Sequence, residues 1–283
     1  MDQDFVMNQD PAEMPSPEDA SPEQGTSADA VPVPRSLLPH LDRSAILLDI
    51  DGTLLDLAPT PREVWVPPGL ARTLNQLLIR TSGALALVSG RSLNDIDLIF
   101  APEQFPAVGG HGAEMRISSD SEAVATIAPP MDKELKRRLA AIARLSPGIL
   151  LEDKGYSLAL HYRLAPHAEK AIYAAVSLIR ADLPDAPVEI LAGKSVCEVK
   201  HAGFDKGTAV RELMQSQPFK GRRPIFIGDD VTDESVFAIM PDLGGLAFSV
   251  GRRAKGVAGH FDDPRDVRAW LAQLIDDAAA AGT

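Results

Sequence analysis

Residues 45–53 run Ala-Ile-Leu-Leu-Asp-Ile-Asp-Gly-Thr, an apolar stretch closed by two carboxylates and a glycine. Such a run reads as a buried β-strand that delivers Asp49 and Asp51 to its carboxyl end. In open α/β folds that edge of the sheet is where ligands bind. Strand alternation sends both acidic side chains the same way, with Ile50 between them facing the opposite side. Two unpaired carboxylates so close repel, and they ask for a shared proton or a shared cation. Magnesium fits that need, because this hard ion is held by one or two carboxylates together with substrate phosphate oxygens. A calcium loop of the EF-hand kind is excluded: it requires a bidentate Glu at position twelve, which counted from Asp49 is Thr60.

Three further strand or helix ends carry polar groups. Ala84-Leu85-Ala86-Leu87-Val88 leads into Ser89-Gly90-Arg91. Asp205-Lys206-Gly207 opens a helical stretch that runs to about Gln215. Pro224-Ile225-Phe226-Ile227 closes in Gly228-Asp229-Asp230-Val231-Thr232-Asp233. Singly, each has a dull reading: Ser89 as a helix cap, Lys206 as a solvated charge, Asp229 and Asp233 as carboxylates favoured by a helix dipole. Together, in this order, they describe one site.

The constellation resembles the haloacid dehalogenase superfamily of phosphohydrolases over most of residues 45–250. Within it, the chain is similar to the trehalose-6-phosphate phosphatases. That narrower likeness rests on Gly228-Asp229-Asp230-Val231-Thr232-Asp233-Glu234, Gly109-Gly110-His111-Gly112-Ala113-Glu114 and Val88-Ser89-Gly90-Arg91. It also rests on Glu152-x-Lys154 followed by His161-Tyr162-Arg163, and on Gly193-Lys194-x-Val196-x-Glu198-Val199-Lys200. The fold implied is α/β: a Rossmann-like core with a parallel sheet, and a smaller α/β cap inserted between the second and third catalytic motifs.

A phosphate monoester dianion is a poor electrophile, so catalysis must come from positioning and charge neutralisation. Asp49 is the expected nucleophile, forming an aspartyl-phosphate that splits one hard hydrolysis into two easier steps. Asp51 is placed to protonate the leaving sugar oxygen and then to take a proton from water. By resemblance, Mg2+ is held by Asp49, the backbone carbonyl of Asp51, and Asp229, while Ser89 and Lys206 hold phosphoryl oxygens. Asp233 is expected beside the metal rather than on it, orienting Lys206 or a metal-bound water, and Asp230 stays open between metal neighbour and helix cap.

Substrate choice is expected from outside these motifs. Glu152 and Lys154 alternate on one strand and His161 ends the next apolar run, a pattern that by itself also suits a salt-bridged exposed hairpin. The resemblance implies that Glu152, Lys154, His161 and Glu198 face the sugar across a cleft, with Arg91, His111, Gly112 and Glu114 reaching it from the core side. Two linkers, near 116–119 and 202–205, would let the insert hinge. The substrate implied is trehalose 6-phosphate, with a functional link to a trehalose-6-phosphate synthase.

Composition sets the outer bounds. A length of 283 residues suffices for a large core plus a small second domain. A formal net charge of -12, without a basic run, argues against nucleic acid. Cys197 is the single cysteine, so no internal disulfide is possible, and it is expected on a strand as apolar filler. No apolar stretch is long enough to span a membrane and no signal peptide is visible, which makes a cytoplasmic protein the expectation.

The expected division is a disordered acidic, Pro-punctuated tail over 1–34, a phosphatase core over 35–117 and 203–283, and the cap over 118–202. Leu70, Leu74, Leu77 and Leu78 predict a helix near 68–80. The rival readings are a capped phosphatase for sucrose phosphate or a hexose phosphate, a receiver-type phosphoacceptor, and a silent sugar-phosphate sensor. A receiver is about half this length. A silent sensor would not need every residue of the chemistry. A P-type pump is excluded by the missing membrane spans.

Overall fold

The computed structural model describes residues 39–58, 63–121, 125–126, 128–184, 188–193 and 195–280. The tail expected over 1–34, and Lys194, lie outside them.

The chain begins with β1 (Ser44–Leu48), α1 (Leu70–Arg80), β2 (Leu85–Val88), α2 (Leu93–Phe100) and β3 (Ala107–Gly109). Two short strands follow, β4 (Glu114–Arg116) and β5 (Ala125–Thr126). Next come α3 (Lys133–Ile142), β6 (Leu150–Asp153), β7 (Ser157–His161), α4 (Glu169–Asp182), β8 (Val188–Gly193) and β9 (Val196–His201). The chain closes with α5 (Lys206–Leu213), β10 (Arg223–Gly228), α6 (Glu234–Ile239), β11 (Leu246–Val250), β12 (Gly259–Phe261) and α7 (Pro264–Ala280).

The large sheet has the order β12-β11-β10-β1-β2-β3-β4-β5. Its first six strands are parallel, while β4 and β5 add antiparallel at one edge. β1 lies at the centre with all five residues buried, as a parallel strand covered on both faces must be. One face packs Ile46, Leu48, Ile225 and Ile227 against Leu74 and Leu77 of α1 and Leu271 and Leu274 of α7. The other packs Leu47, Ala86 and Phe226 against Val210 and Leu213 of α5 and Val236 and Phe237 of α6. Alternate residues of each strand thus feed opposite cores, and the strand ends are left to carry polar groups.

The second sheet, β6-β7-β9-β8, is antiparallel throughout. Leu158, Leu160, Cys197 and Val199 pack under α3 and α4 on Leu135, Leu139, Ile172 and Val176. Cys197 is a buried filler there, as its setting in the sequence suggests. One element departs from the expected partition: β5, inside the stretch assigned to the insert, pairs with β4 and extends the large sheet. Its two residues are too few for any periodic signal to show which sheet they join. Helix α1 starts at Leu70 and buries Leu70, Leu74 and Leu77, with Leu78 packed at the margin of the same core.

Candidate active site

Asp49 and Asp229 follow β1 and β10, which are hydrogen-bonded neighbours, and Ser89 follows β2 on the other side of β1. The topology therefore sets three polar residues side by side at the carboxyl edge of the sheet. Backbone bonds fix the row: Asp49 N–H donates to Ile227 O at 2.9 Å, and Ser89 N–H to Val108 O at 2.9 Å.

Lys206 arrives as the first residue of α5. A capping box places it, with Thr208 N–H donating to Asp205 Oδ1 at 2.7 Å and Asp205 N–H to Thr208 Oγ1 at 2.9 Å. Its ammonium donates to Asp49 Oδ1 at 2.9 Å and to Asp233 Oδ1 at 2.7 Å. All three side chains are buried. Burial works against the charge on Lys206, but Asp49 and Asp233 outweigh it and hold its pKa above the ordinary value. Asp49 is pushed well above the usual carboxylate range by burial, with Asp233 and Asp229 adding repulsion and Lys206 opposing. Asp229 is raised to about 6, first by burial and then by Asp233 and Asp230.

Oxygens of Asp49, Asp229 and Asp233 lie within 4.8 Å of one another. One lysine does not neutralise three carboxylates, so the donor set suits a hard divalent cation. Asp233 has both oxygens engaged, Oδ1 by Lys206 and Oδ2 by the Asp230 amide at 3.0 Å. That leaves Asp49 and Asp229 as the better metal-facing pair. Glycine is needed at position 52, where φ is +79° and a Cβ would stand 2.1 Å from Asp229 Oδ2.

Asp51 is gripped by Arg91, with Nε to Oδ2 at 2.5 Å and Nη2 to Oδ1 at 2.7 Å. Ser89 Oγ accepts the Arg91 amide at 3.2 Å. Asp230 caps the turn that follows it, accepting from Val231 N–H at 2.6 Å. Glu114, expected near the sugar, has Oε2 on the Leu93 amide at 2.7 Å, at the start of α2. Its placement is a helix-terminal carboxylate on an otherwise unpaired N–H.

His111 sits between the two sheets in left-handed backbone, φ 56°. Its pKa is lowered to about 4 by burial, with Glu198 opposing. The imidazole is therefore neutral near pH 7 and can both donate and accept. Gly112 abuts the Asp205 carbonyl.

On the small sheet, Glu152 and Glu198 stand in one cross-strand row through Ala159 of β7. Lys154 lies just beyond the end of β6 rather than on it, and reaches Glu198 at 3.2 Å. Ser157 Oγ donates to Glu198 Oε1 at 2.7 Å. Burial pushes the Glu198 carboxyl up, but Lys154, His111 and the Ser157 hydrogen bond together outweigh it, and the net direction is down. Glu152 and His161 pair at 2.8 Å while 45% and 38% exposed.

Two residues of this region were not anticipated. Arg252, after β11, donates to the Asp229 carbonyl at 2.7 Å and the Asp230 carbonyl at 2.8 Å, while pairing with Glu234 at 2.8 Å. The other is Ser157, the first residue of β7, whose hydroxyl holds Glu198. Neither carries a local signal: a Gly-Arg after an apolar run is common at any strand end, and a Ser at the start of an apolar run is equally ordinary.

A mainly parallel sheet with an acidic carboxyl edge, and a smaller antiparallel sheet spliced in before the lysine helix, define a phosphohydrolase of the haloacid dehalogenase fold. The family model described as trehalose-phosphatase matches residues 47–260. A trehalose-6-phosphate phosphatase of Escherichia coli K12 is 37% identical over 230 residues, 81% of this chain and 86% of that one. A probable trehalose-phosphate phosphatase of Sinorhizobium fredii is 45% identical over 219 residues, 76% and 81% of the two chains. Among solved structures, the C-terminal domain of the C. albicans trehalose-6-phosphate phosphatase matches with a TM-score of 0.72 at 22% identity, covering 89% of this chain and 99% of that one. An Aspergillus fumigatus trehalose-6-phosphate phosphatase gives 0.63 at 24%, covering 88% and 100%. The chain belongs to the trehalose-phosphatase family, and its members are phosphoric monoester hydrolases. Among the described residues no helix is long and apolar enough to cross a membrane.

Proposed function

We propose that this chain hydrolyses trehalose 6-phosphate to trehalose and phosphate, as a step of trehalose biosynthesis. The observation that carries the chemistry is Lys206 bridging Asp49 and Asp233 beside Asp229 at the sheet edge. Support for the substrate comes from relatives at 37% and 45% identity that are named for it.

In this reading Asp49 attacks phosphorus through the oxygen that Lys206 leaves free. The P–O bond to the sugar breaks, and the sugar oxygen leaves with the proton of Asp51. Water then attacks the aspartyl-phosphate, Asp51 takes its proton, and phosphate departs with the Asp49 carboxylate restored. Lys206 and the Ser89 hydroxyl hold phosphoryl oxygens.

Asp49, the Asp51 carbonyl and Asp229 would hold Mg2+, which supplies positive charge for the phosphoryl oxygens. Asp233 steers Lys206, Asp230 shapes the turn, and Arg252 fixes the carbonyls of the acidic loop.

The small sheet serves as the cap. Glu152, Lys154, His161 and Glu198 offer charge-assisted hydrogen bonds to sugar hydroxyls, with His111 facing them from the core. Closure excludes water from the reacting phosphate. Phosphate release from a panel of sugar phosphates tests the substrate: strong preference for sucrose 6-phosphate or glucose 6-phosphate would replace this reading with another capped sugar phosphatase.

A further inference from the structure

The aromatic ring of Tyr156, in the turn between β6 and β7, is buried in a cluster with Phe204, Ala113 and Ala128. That cluster sits where the two sheets meet. Tyr156 and Phe204 are edge to face at 6.3 Å. The phenol oxygen has no hydrogen-bond partner among the described residues. It rests on Gly110, where a Cβ would come within 2.2 Å of it. Leaving a buried hydroxyl unpaired costs roughly 1–3 kcal/mol, which the packing of the ring in this cluster must offset.

Gly110 is not an isolated surface. Its amide donates to the Arg91 carbonyl at 2.7 Å, and the next amide, His111, donates to the Ser89 carbonyl at 3.1 Å. The His111 ring lies over Gly90, where a Cβ would meet it at 2.3 Å. Gly112 presses on the Asp205 carbonyl and Lys206 amide. Gly110, His111 and Gly112 all have positive φ, a shape with few alternatives. A displacement of Gly110 is therefore passed to the Ser89–Arg91 turn on one side and to the start of α5 on the other.

We propose that Tyr156 is a positioning residue: seated on Gly110, it lets the placement of the small sheet set Ser89, Arg91 and Lys206 at the phosphate site. The inference rests on the reading of that site as a phosphatase centre, and it goes beyond sugar contact. A residue in the β6–β7 turn would govern turnover even of a phosphate ester that carries no sugar.

The test is steady-state hydrolysis of trehalose 6-phosphate and of p-nitrophenyl phosphate by full-length Tyr156→Ala, Tyr156→Leu and Tyr156→Phe, each rate normalised to folded protein. Tyr156→Leu keeps an apolar contact with Phe204 but cannot reach Gly110, so it serves where the alanine variant folds poorly. The expected result is a kcat about tenfold or more lower on both esters for Ala and Leu, since small misplacements of reacting groups are costly. Tyr156→Phe, which keeps the ring on Gly110, should stay within about threefold of the parent. Loss confined to trehalose 6-phosphate would make Tyr156 a sugar contact and overturn the proposal, as would full activity of Ala and Leu on p-nitrophenyl phosphate. Failure of the parent enzyme on trehalose 6-phosphate alone would refute the substrate and leave the aryl phosphate arm to judge Tyr156.

Discussion

Arg91 holds Asp51 by both carboxylate oxygens, Nε on Oδ2 at 2.5 Å and Nη2 on Oδ1 at 2.7 Å. The planar fork leaves the carboxylate a single orientation, which an ammonium on a flexible stem cannot impose. Arg91→Lys should therefore lower kcat by about ten- to a hundredfold on sugar and aryl phosphates alike, with KM little changed. Equal kinetics for Arg91→Lys would mean that the clamp is incidental to turnover.

Lys206 lies between two buried carboxylates, so deleting its charge strands both. Breaking a buried ion pair from one side costs about 3–5 kcal/mol. Lys206→Met should lose stability of that order in urea unfolding without added metal, besides losing activity. A loss under about 1 kcal/mol would show that water or relaxation already screens Asp49 and Asp233.

The pKa of Asp229, raised to about 6, ties stability to pH and metal. A carboxyl raised on folding binds its proton more tightly in the native state. Its contribution is thus present below the unfolded value and lost as pH rises through about 6. Bound Mg2+ needs the ionised form and relieves the repulsion. The rise in melting temperature on adding Mg2+ should accordingly be larger at about pH 8 than at about pH 5. Equal increments at both would remove Asp229 from the metal site.

Glu152 and His161 pair in partial exposure, so their bond adds little to stability. Glu152→Ala should leave the melting temperature nearly unchanged and the p-nitrophenyl phosphate rate within about twofold. Its rate on trehalose 6-phosphate should fall about tenfold or more, as a charge-assisted contact is lost. Equal losses on the two esters would deny the small sheet its role in substrate choice.

The sequence made strand ends readable because buried parallel strands are apolar on both faces. The first polar residues after Leu48, Val88 and Ile227 therefore mark the edge. Asp49, Ser89 and Asp229 stood out for that reason, and Lys206 because Asp205-Lys206-Gly207 opens a helical stretch. Contacts between distant segments had no such sign. Glu114 on the Leu93 amide, Arg252 on the acidic-loop carbonyls and Tyr156 on Gly110 each depend on how separate elements meet. Lys154 was placed on the strand, yet β6 ends one residue earlier, at a boundary that periodicity resolves poorly.

The central claim is metal-dependent hydrolysis of trehalose 6-phosphate with Asp49 as nucleophile. Its most direct measurement is phosphate release from that ester with Mg2+, with EDTA, and with an Asp49→Asn variant, beside sucrose 6-phosphate and glucose 6-phosphate. The account predicts rapid, selective release from trehalose 6-phosphate that EDTA and Asp49→Asn both abolish. Release that survives either treatment, or that favours another ester, would contradict it.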